Sequence, residues 1–428
     1  MYEGLGEISI KSYQAKELSE IIQIDAKECK GCDSCKSFCP TGAINGKYGA
    51  THSIDNSKCL QCGQCLVNCP FGAIKDIVDP VEMIEQKLKD KKITVVATMA
   101  PAVRVALGEE FGMEPGTIVT EQMYGALRKL GFKIIDTNYG ADNTIMEEGT
   151  ELIEKIRHYV LGEPTQHHLG ALPQFTSCCP AWVRFVELEY PDLIPNLSSA
   201  KSPMQMAGPV AKTYGATNVW QTEPENIFVV GIMPCTAKKL EASRPEFNSA
   251  STYWKTKGRS ADYPDIDTVI TTRDLARMIK SAGIDLNTVE PFTDSDNPLA
   301  EYTGAGTIFG VTGGVMEAAL RTAYFVITGK ELEGVDYKPA RGLQGVKTAE
   351  VPMKDAKTGK EIVLKIAIAH GTKQNVRPLL EEIRAGKSPY HFIEVMNCPG
   401  GCVNGGGQPI NPMGTSWIDK TKAIFPWS

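Results

Sequence analysis

The chain of 428 residues carries its chemistry in thirteen cysteines, and their placement is not that of a disulfide scaffold. Eight form two runs: Cys29, Cys32, Cys35 and Cys39 in CKGCDSCKSFCP, then Cys59, Cys62, Cys65 and Cys69 in CLQCGQCLVNCP. Each run reads CxxCxxCxxxCP. Thiolates at that spacing hold 4Fe-4S clusters, and in paired runs the fourth cysteine ligates the other cluster. One cluster is therefore expected on Cys29, Cys32, Cys35 and Cys69, and a second on Cys59, Cys62, Cys65 and Cys39. A pair of structural zinc sites is the rival reading, but zinc motifs do not repeat a three-plus-one spacing closed by proline. Gly31, Gly63, Pro40 and Pro70 suit backbone wrapped closely around a cluster.

The remaining five cysteines all fall in loops: Cys178 and Cys179 in TSCCPAW, Cys235 in MPCTAKK, Cys398 and Cys402 in MNCPGGCVNGGGQP. Adjacent side chains of an extended segment point to opposite sides, and a vicinal disulfide is strained. The neighbouring thiols are expected to do different jobs. Four of the five could carry a third 4Fe-4S cluster, which leaves one thiol over.

The elements that must position these loops show in the apolar pattern. KITVVATM, FKIIDTN, NIFVVGIM, DTVITT, EIVLKIAIAH and YHFIEVM read as buried strands, with amphipathic segments such as TELIEKIRHYV and TTRDLARMIKSAG between them. This predicts an α/β domain with mostly parallel sheets after residue 90 or so. Three of the strands run directly into MAPAVR, MPCTAKK and MNCPGGC, so those loops are expected to converge at the carboxyl ends of the sheets. The domain reading is an N-terminal extension over 1–23, a two-cluster unit and linker over 24–90, a catalytic domain over 91–410 and a tail over 411–428.

Composition excludes other classes. A chain 42% hydrophobic and 22% charged, with formal net charge −6, has the make-up of a soluble globular protein of two or three domains. No clustered basic face speaks for nucleic acid. No apolar run reaches the length of a membrane span, and the start has neither a basic n-region nor an apolar h-region. A cytoplasmic location is expected, or a periplasmic one by export together with a partner.

TSCCPAW, MPCTAKKLEASRPEF, FIEVMNCPGGCVNGGGQP and FGVTGGVMEAALR resemble, in this order of specificity, the signature segments of the iron-only (FeFe) hydrogenases. The resemblance spans about residues 24 to 410. It implies a small α+β bacterial ferredoxin-like domain ahead of an α/β catalytic domain of two lobes with small mostly parallel sheets. It also implies an H-cluster, a 4Fe-4S cubane joined to a diiron subsite with CO, CN and a bridging azadithiolate. By that likeness Cys179, Cys235, Cys398 and Cys402 hold the cubane, and Cys402 bridges to the diiron unit. Ala100, Pro101, Met233 and Met396 are the other cofactor-facing positions. Cys178 becomes the proton relay, with Glu148, Ser198 and Glu241 continuing toward solvent and Lys238 beside the cofactor.

The residues agree with that chemistry on their own account. Proton reduction needs single electrons and an acid-base group within hydrogen-bond reach, and a cysteine suits that work better than a serine. Outside their motifs the same residues have plainer readings: Lys238 as a solvated lysine, Glu148 and Glu241 as exposed helix glutamates, Ser198 as a helix cap, Met233 and Met396 as core filling. Ala181 stands where glycine is commonest in the family, and Asn397 where alanine is usual. The implied partners are H2 and protons as substrates, maturation proteins, and a ferredoxin, flavodoxin or low-potential cytochrome as electron carrier. The short stretch after Pro409 adds the expectation of a separate small subunit. Two other classes fit parts of the pattern, an iron-sulfur assembly scaffold and a hydrogen sensor. An intact Cys178, Lys238 and Cys398-to-Gln408 segment speaks against the scaffold, and the retained Cys178 with no sensory or kinase-linked module speaks against the sensor.

Overall fold

The computed structural model describes residues 20–167, 169–293, 299, 301–332, 344–411 and 416–424. Residues 1–19, most of the expected N-terminal extension, and His168 lie outside them. The first unit holds β1 (Ile22–Ile24), β2 (Ile44–Asn45), β3 (Ser53–Ile54) and β4 (Ile74–Asp76). β1 pairs antiparallel with β4, and β2 with β3. Short helices Ser34–Phe38 and Gln64–Val67 carry Cys35 and Cys65. Ile21, Ile22, Ile44, Leu66 and Ile74 form its core among the cysteines. Two domain boundaries shift. The unit already begins at Ile21, and helix Val81–Lys89 buries Ile84 in the core of the following domain, because its apolar stripe faces that sheet.

The larger part is built on two four-stranded sheets. In the first, β5 (Thr94–Met99), β6 (Lys133–Asp136), β8 (Ile227–Met233) and β9 (Thr268–Thr271) lie in the order β6-β5-β8-β9 and are all parallel. Every residue of β8 is buried, as expected where helices cover both faces of a parallel sheet. The second sheet runs β10-β11-β12-β7, with β7 (Gln174–Phe175), β10 (Val346–Lys354), β11 (Glu361–His370) and β12 (Phe392–Met396). Only β10 against β11 is antiparallel. All six expected strands are present; β7 and β10 are additions. β7 is too short to show as a pattern, and β10 alternates buried and exposed residues on a sheet edge.

Helix Thr137–Lys155 packs against both lobes, touching helix Pro203–Val210 on one side and helix Gly314–Thr328 on the other. Its approach to the first is so close that a Cβ on Gly140 would lie 2.1 Å from the Pro203 carbonyl oxygen. Helix Gly314–Thr328 is fixed to β12 by Glu394, whose carboxylate accepts the Gly313 and Met316 backbone N–H groups at 2.6 and 2.7 Å. The segment expected to be a tail is not loose. Helix Ser416–Ile424 buries Ile424 with Ala102, Val105, Val311 and Val403, and Lys420 pairs with Glu109 at 2.7 Å. Among the described residues no helix is long and apolar enough to cross a membrane.

The two-cluster unit docks by backbone against backbone. A Cβ on Gly406 would sit 2.2 Å from the Cys62 carbonyl oxygen and 2.6 Å from Gly63 Cα, and neither neighbour is a movable side chain. Thr236 Oγ1 donates to the Gln61 carbonyl at 2.7 Å, and Arg184 Nε to that of Cys59 at 2.9 Å. Gly406→Ala is therefore expected to destabilise the chain by about 1–3 kcal/mol, the usual cost of overpacking, and to expose the N-terminal unit to protease. Unchanged melting and digestion would show that this contact can relax.

Candidate active site

In the first sheet the chain order reverses between β5 and β8, and ligands of open α/β sheets sit outside the carboxyl ends at such a point. β5 ends in Ala100 and Pro101; β8 ends in Met233, Pro234 and Cys235. From the second sheet, β12 runs into Cys398 and β7 into Cys178 and Cys179. All of these residues, with Met396, Cys402 and Lys238, line one cavity between the lobes. Its other walls are largely apolar and include Ala141, Met204 and Phe309. Cys178 and Cys179 both line the cavity, and the chain turns into helix Pro180–Glu189 directly after Cys179.

Four of these thiols suit an iron-sulfur group. Backbone N–H groups of Asn397, Trp182 and Ala181 face Cys179, and that of Ala237 faces Cys235. Such donors stabilise thiolate ligands. Burial pushes the Cys235 thiol up to about 12, with Cys179 adding to the effect. Gathered thiolates at this depth therefore require a positive centre among them. In the N-terminal unit the thiols neighbour one another in two crossed sets. Burial raises Cys35, and Cys32, Cys29 and Cys69 add to it; burial raises Cys59, Cys62 and Cys65, and Cys39 adds to each. Cys39, Cys59, Cys62 and Cys65 line a common cavity. Backbone N–H groups of Ala43, His52 and Gln61 point at the sulfurs of Cys39, Cys29 and Cys59 at 3.3, 3.5 and 3.4 Å. Among the described residues no three Cys, His, Asp or Glu side chains converge as a single metal ion needs.

Behind Cys178 lies a file of polar groups. Glu148 is fully buried, and the Ser177 N–H donates to its Oε1 at 3.3 Å. Burial raises its carboxyl to about 8, with Glu151 adding to the shift against the opposing bonds from Ser177 and Ser198. Burial likewise pushes the Cys178 thiol well above its ordinary value, and Glu148 adds to it. Ser198 Oγ donates to Glu151 Oε2 at 2.7 Å, and Lys155 pairs with Glu151 Oε1 at 2.9 Å. Glu151 keeps 17% of its side chain exposed, at the edge of an open groove.

Two expectations need correction here. Glu148 and Glu241 are not exposed, and Ser198 caps no helix; Ser202 does that for helix Pro203–Val210. Glu241 does not continue the file, because its carboxylate is held by Lys238 Nζ at 2.7 Å. Lys238 also donates to the Cys178 carbonyl at 3.1 Å, and despite burial this pairing holds its ammonium above the ordinary range. The missed residue is Glu151. It stands one helical turn from Glu148 on helix Thr137–Lys155, and that spacing was the available signal.

Two parallel-sheet lobes closing on a pocket of thiols, fed by a dicluster unit, define an iron-sulfur redox protein with its reaction centre buried between the lobes. Comparison with known proteins narrows this. Residues 93–406 match the family described as iron only hydrogenase large subunit, C-terminal domain, and residues 28–73 match the 4Fe-4S dicluster domain. The periplasmic Fe hydrogenase large subunit of Nitratidesulfovibrio vulgaris is 48% identical over 402 residues, 94% of this chain and 89% of that one. FeFe-hydrogenase HydA1 from Chlamydomonas reinhardtii superposes with a TM-score of 0.68 at 36% identity, covering 81% of this chain and 88% of that chain. More distant is the cytosolic iron-sulfur assembly component 3 of Mus musculus, 31% identical over 73% of this chain and 62% of its own length. The chain belongs to the iron-only hydrogenases: it is a catalytic subunit of the FeFe type with a 4Fe-4S ferredoxin-like domain.

Folding moves the Glu148 carboxyl from its ordinary value of 4.5 to about 8, so the folded chain holds a proton that the unfolded chain releases. The associated stability is full below pH about 4.5 and is lost as the pH rises toward 8. Glu148→Gln, isosteric and never charged, is expected to flatten the fall in melting temperature across that window. It should also lower hydrogen turnover about 100-fold to 10,000-fold. A variant that keeps the wild-type slope would place the buried proton elsewhere.

Proposed function

We propose that the chain catalyses the reversible reaction of two protons and two electrons to H2 at an H-cluster. Cys179, Cys235, Cys398 and Cys402 would hold its 4Fe-4S cubane, and Cys402 would bridge to a diiron subsite carrying CO, CN and an azadithiolate. When bound, these groups supply the redox chemistry, with clusters on Cys29, Cys32, Cys35, Cys69 and on Cys39, Cys59, Cys62, Cys65 as the one-electron relay. The protein's part is to shelter the site and to manage protons. Ala100, Pro101, Met233 and Met396 line the cavity and keep water from it.

Cys178 carries the proton at Sγ. It shares the cavity with four ligand-type thiols and is adjacent in sequence to one of them, yet it has Glu148 behind it; that fifth thiol is the observation on which the reading rests. Glu148, protonated near neutral pH, passes a proton between Cys178 and Ser198, and Glu151 exchanges it with the open groove. Lys238 anchors the wall beside Cys178 through its bond to the Cys178 carbonyl.

The electron carrier in this reading is a ferredoxin, flavodoxin or low-potential cytochrome. The description of the Nitratidesulfovibrio relative as a periplasmic large subunit supports pairing with a small subunit and export in its company. Native mass measurement of the protein from its source tests this: a fully active lone chain would argue against a partner.

The infrared spectrum of matured protein tests the reaction centre, since CO and CN stretching bands identify a diiron subsite. An assembly scaffold would show none. Made without maturation machinery, the chain is expected to bind about twelve irons as three 4Fe-4S clusters and to evolve no hydrogen. Cys178→Ala should keep the bands after maturation while turnover falls about 100-fold to 10,000-fold. Cys179→Ala should instead damage assembly of the centre. Near-normal turnover in Cys178→Ala, or loss of the bands, would overturn the division of labour between the two thiols.

A further inference from the structure

CLQCGQC holds two glutamines between cluster thiols, and the fold uses them in opposite directions. Gln61 turns inward, its Oε1 accepting the Ile21 and Ile22 backbone N–H groups at 3.1 and 3.0 Å. Gln64 turns out of its own unit. Its Nε2 donates to Cys398 Sγ at 3.1 Å and to the Asn404 carbonyl at 2.7 Å, across the junction with the catalytic domain. Both partners are acceptors, so the amide nitrogen and not the oxygen must face them. Gln64 is 3% exposed, which keeps both bonds out of competition with water.

A second amide reaches the same sulfur. Asn397 Nδ2 lies 4.0 Å from Cys398 Sγ, and its side chain also faces the Cys62 thiol of the N-terminal unit. Asn397 is 4% exposed and lines the cavity.

We propose that Gln64 and Asn397 are positioning residues that set the reduction potential of the iron-sulfur group on Cys179, Cys235, Cys398 and Cys402 by donating side-chain N–H bonds to the Cys398 thiolate. The inference rests on the proposed function, which puts a cubane on those four thiols. The reduced cluster carries one more negative charge than the oxidised one. A donor on a ligand sulfur therefore stabilises the reduced form more and raises the potential. Gln64 does this from the neighbouring cluster unit, so the docked unit tunes the centre that it feeds.

The test is a redox titration of the matured full-length protein, followed by the infrared CO bands and by electron paramagnetic resonance of the clusters. Gln64→Leu should move the cubane midpoint to more negative potential, lowering the reduced fraction at fixed potential on the order of tenfold, or about 59 mV for a one-electron couple. Asn397→Ala should shift it less but in the same direction, because its contact is longer. The cluster on Cys29, Cys32, Cys35 and Cys69 should keep its midpoint in both. Should Gln64→Leu fail to assemble, Asn397→Ala decides, since it only shortens a side chain at the cavity wall and removes the second donor. A midpoint that stays put or rises in an intact variant would overturn the proposal. Wild-type protein with about eight irons and no CO bands would instead overturn the reading beneath it.

Discussion

Buried thiols close together cannot all ionise without a positive centre among them, and the architecture follows from that constraint. Burial, with neighbouring thiols adding to it, drives Cys62 and Cys235 up to about 12. The folded chain therefore contains sites that are electrostatically incomplete as thiolates and become complete when iron supplies the opposite charge. Apolar walls and inward-facing backbone N–H groups both strengthen the preference. The same burial keeps Glu148 and Cys178 protonated, which is the state the proposed proton path needs at its inner end.

The two sheets bring together residues far apart in sequence because parallel strands deliver their carboxyl ends to one side. β8 and β12 end in, and β5 and β7 lead within three residues to, residues of the cavity. Helix Thr137–Lys155, held between the lobes by the close crossing at Gly140, places Glu148 inside and Glu151 one turn nearer the surface. Glu394 ties helix Gly314–Thr328 to β12. The polar file and the cavity thiols thus come from different elements.

Much of this was legible beforehand. The cysteine spacing marked the 4Fe-4S dicluster unit, and the β-branched runs located six strands, three of which run into loops that meet at the cavity. What the sequence left obscure has physical causes. β7 has two residues and no period to detect. β10 is an amphipathic edge. Glu241 was placed on the proton file by the family likeness, and its ion pair with Lys238 is a matter of rotamer and burial that spacing does not encode. Glu151 is an ordinary helix glutamate in sequence, and only the loop holding Ser198 makes it a relay. Gln64 makes its decisive contacts with Cys398 and Asn404, on a loop more than three hundred residues away, and no local pattern reports such contacts.

The contact of Gly63 with Gly406 bears on speed as well as on assembly. Electrons cross protein by tunnelling, at rates that fall exponentially with the gap between centres. Two glycines at the junction let the loop that holds Cys62 come as near to the loop of Cys402 as main chain allows, with no side chain to widen the step. Any residue larger than hydrogen at either position would act as a spacer. Between the clusters of the proposed relay, a backbone seam of this kind would hold the step to its shortest length, where a hinge would vary it.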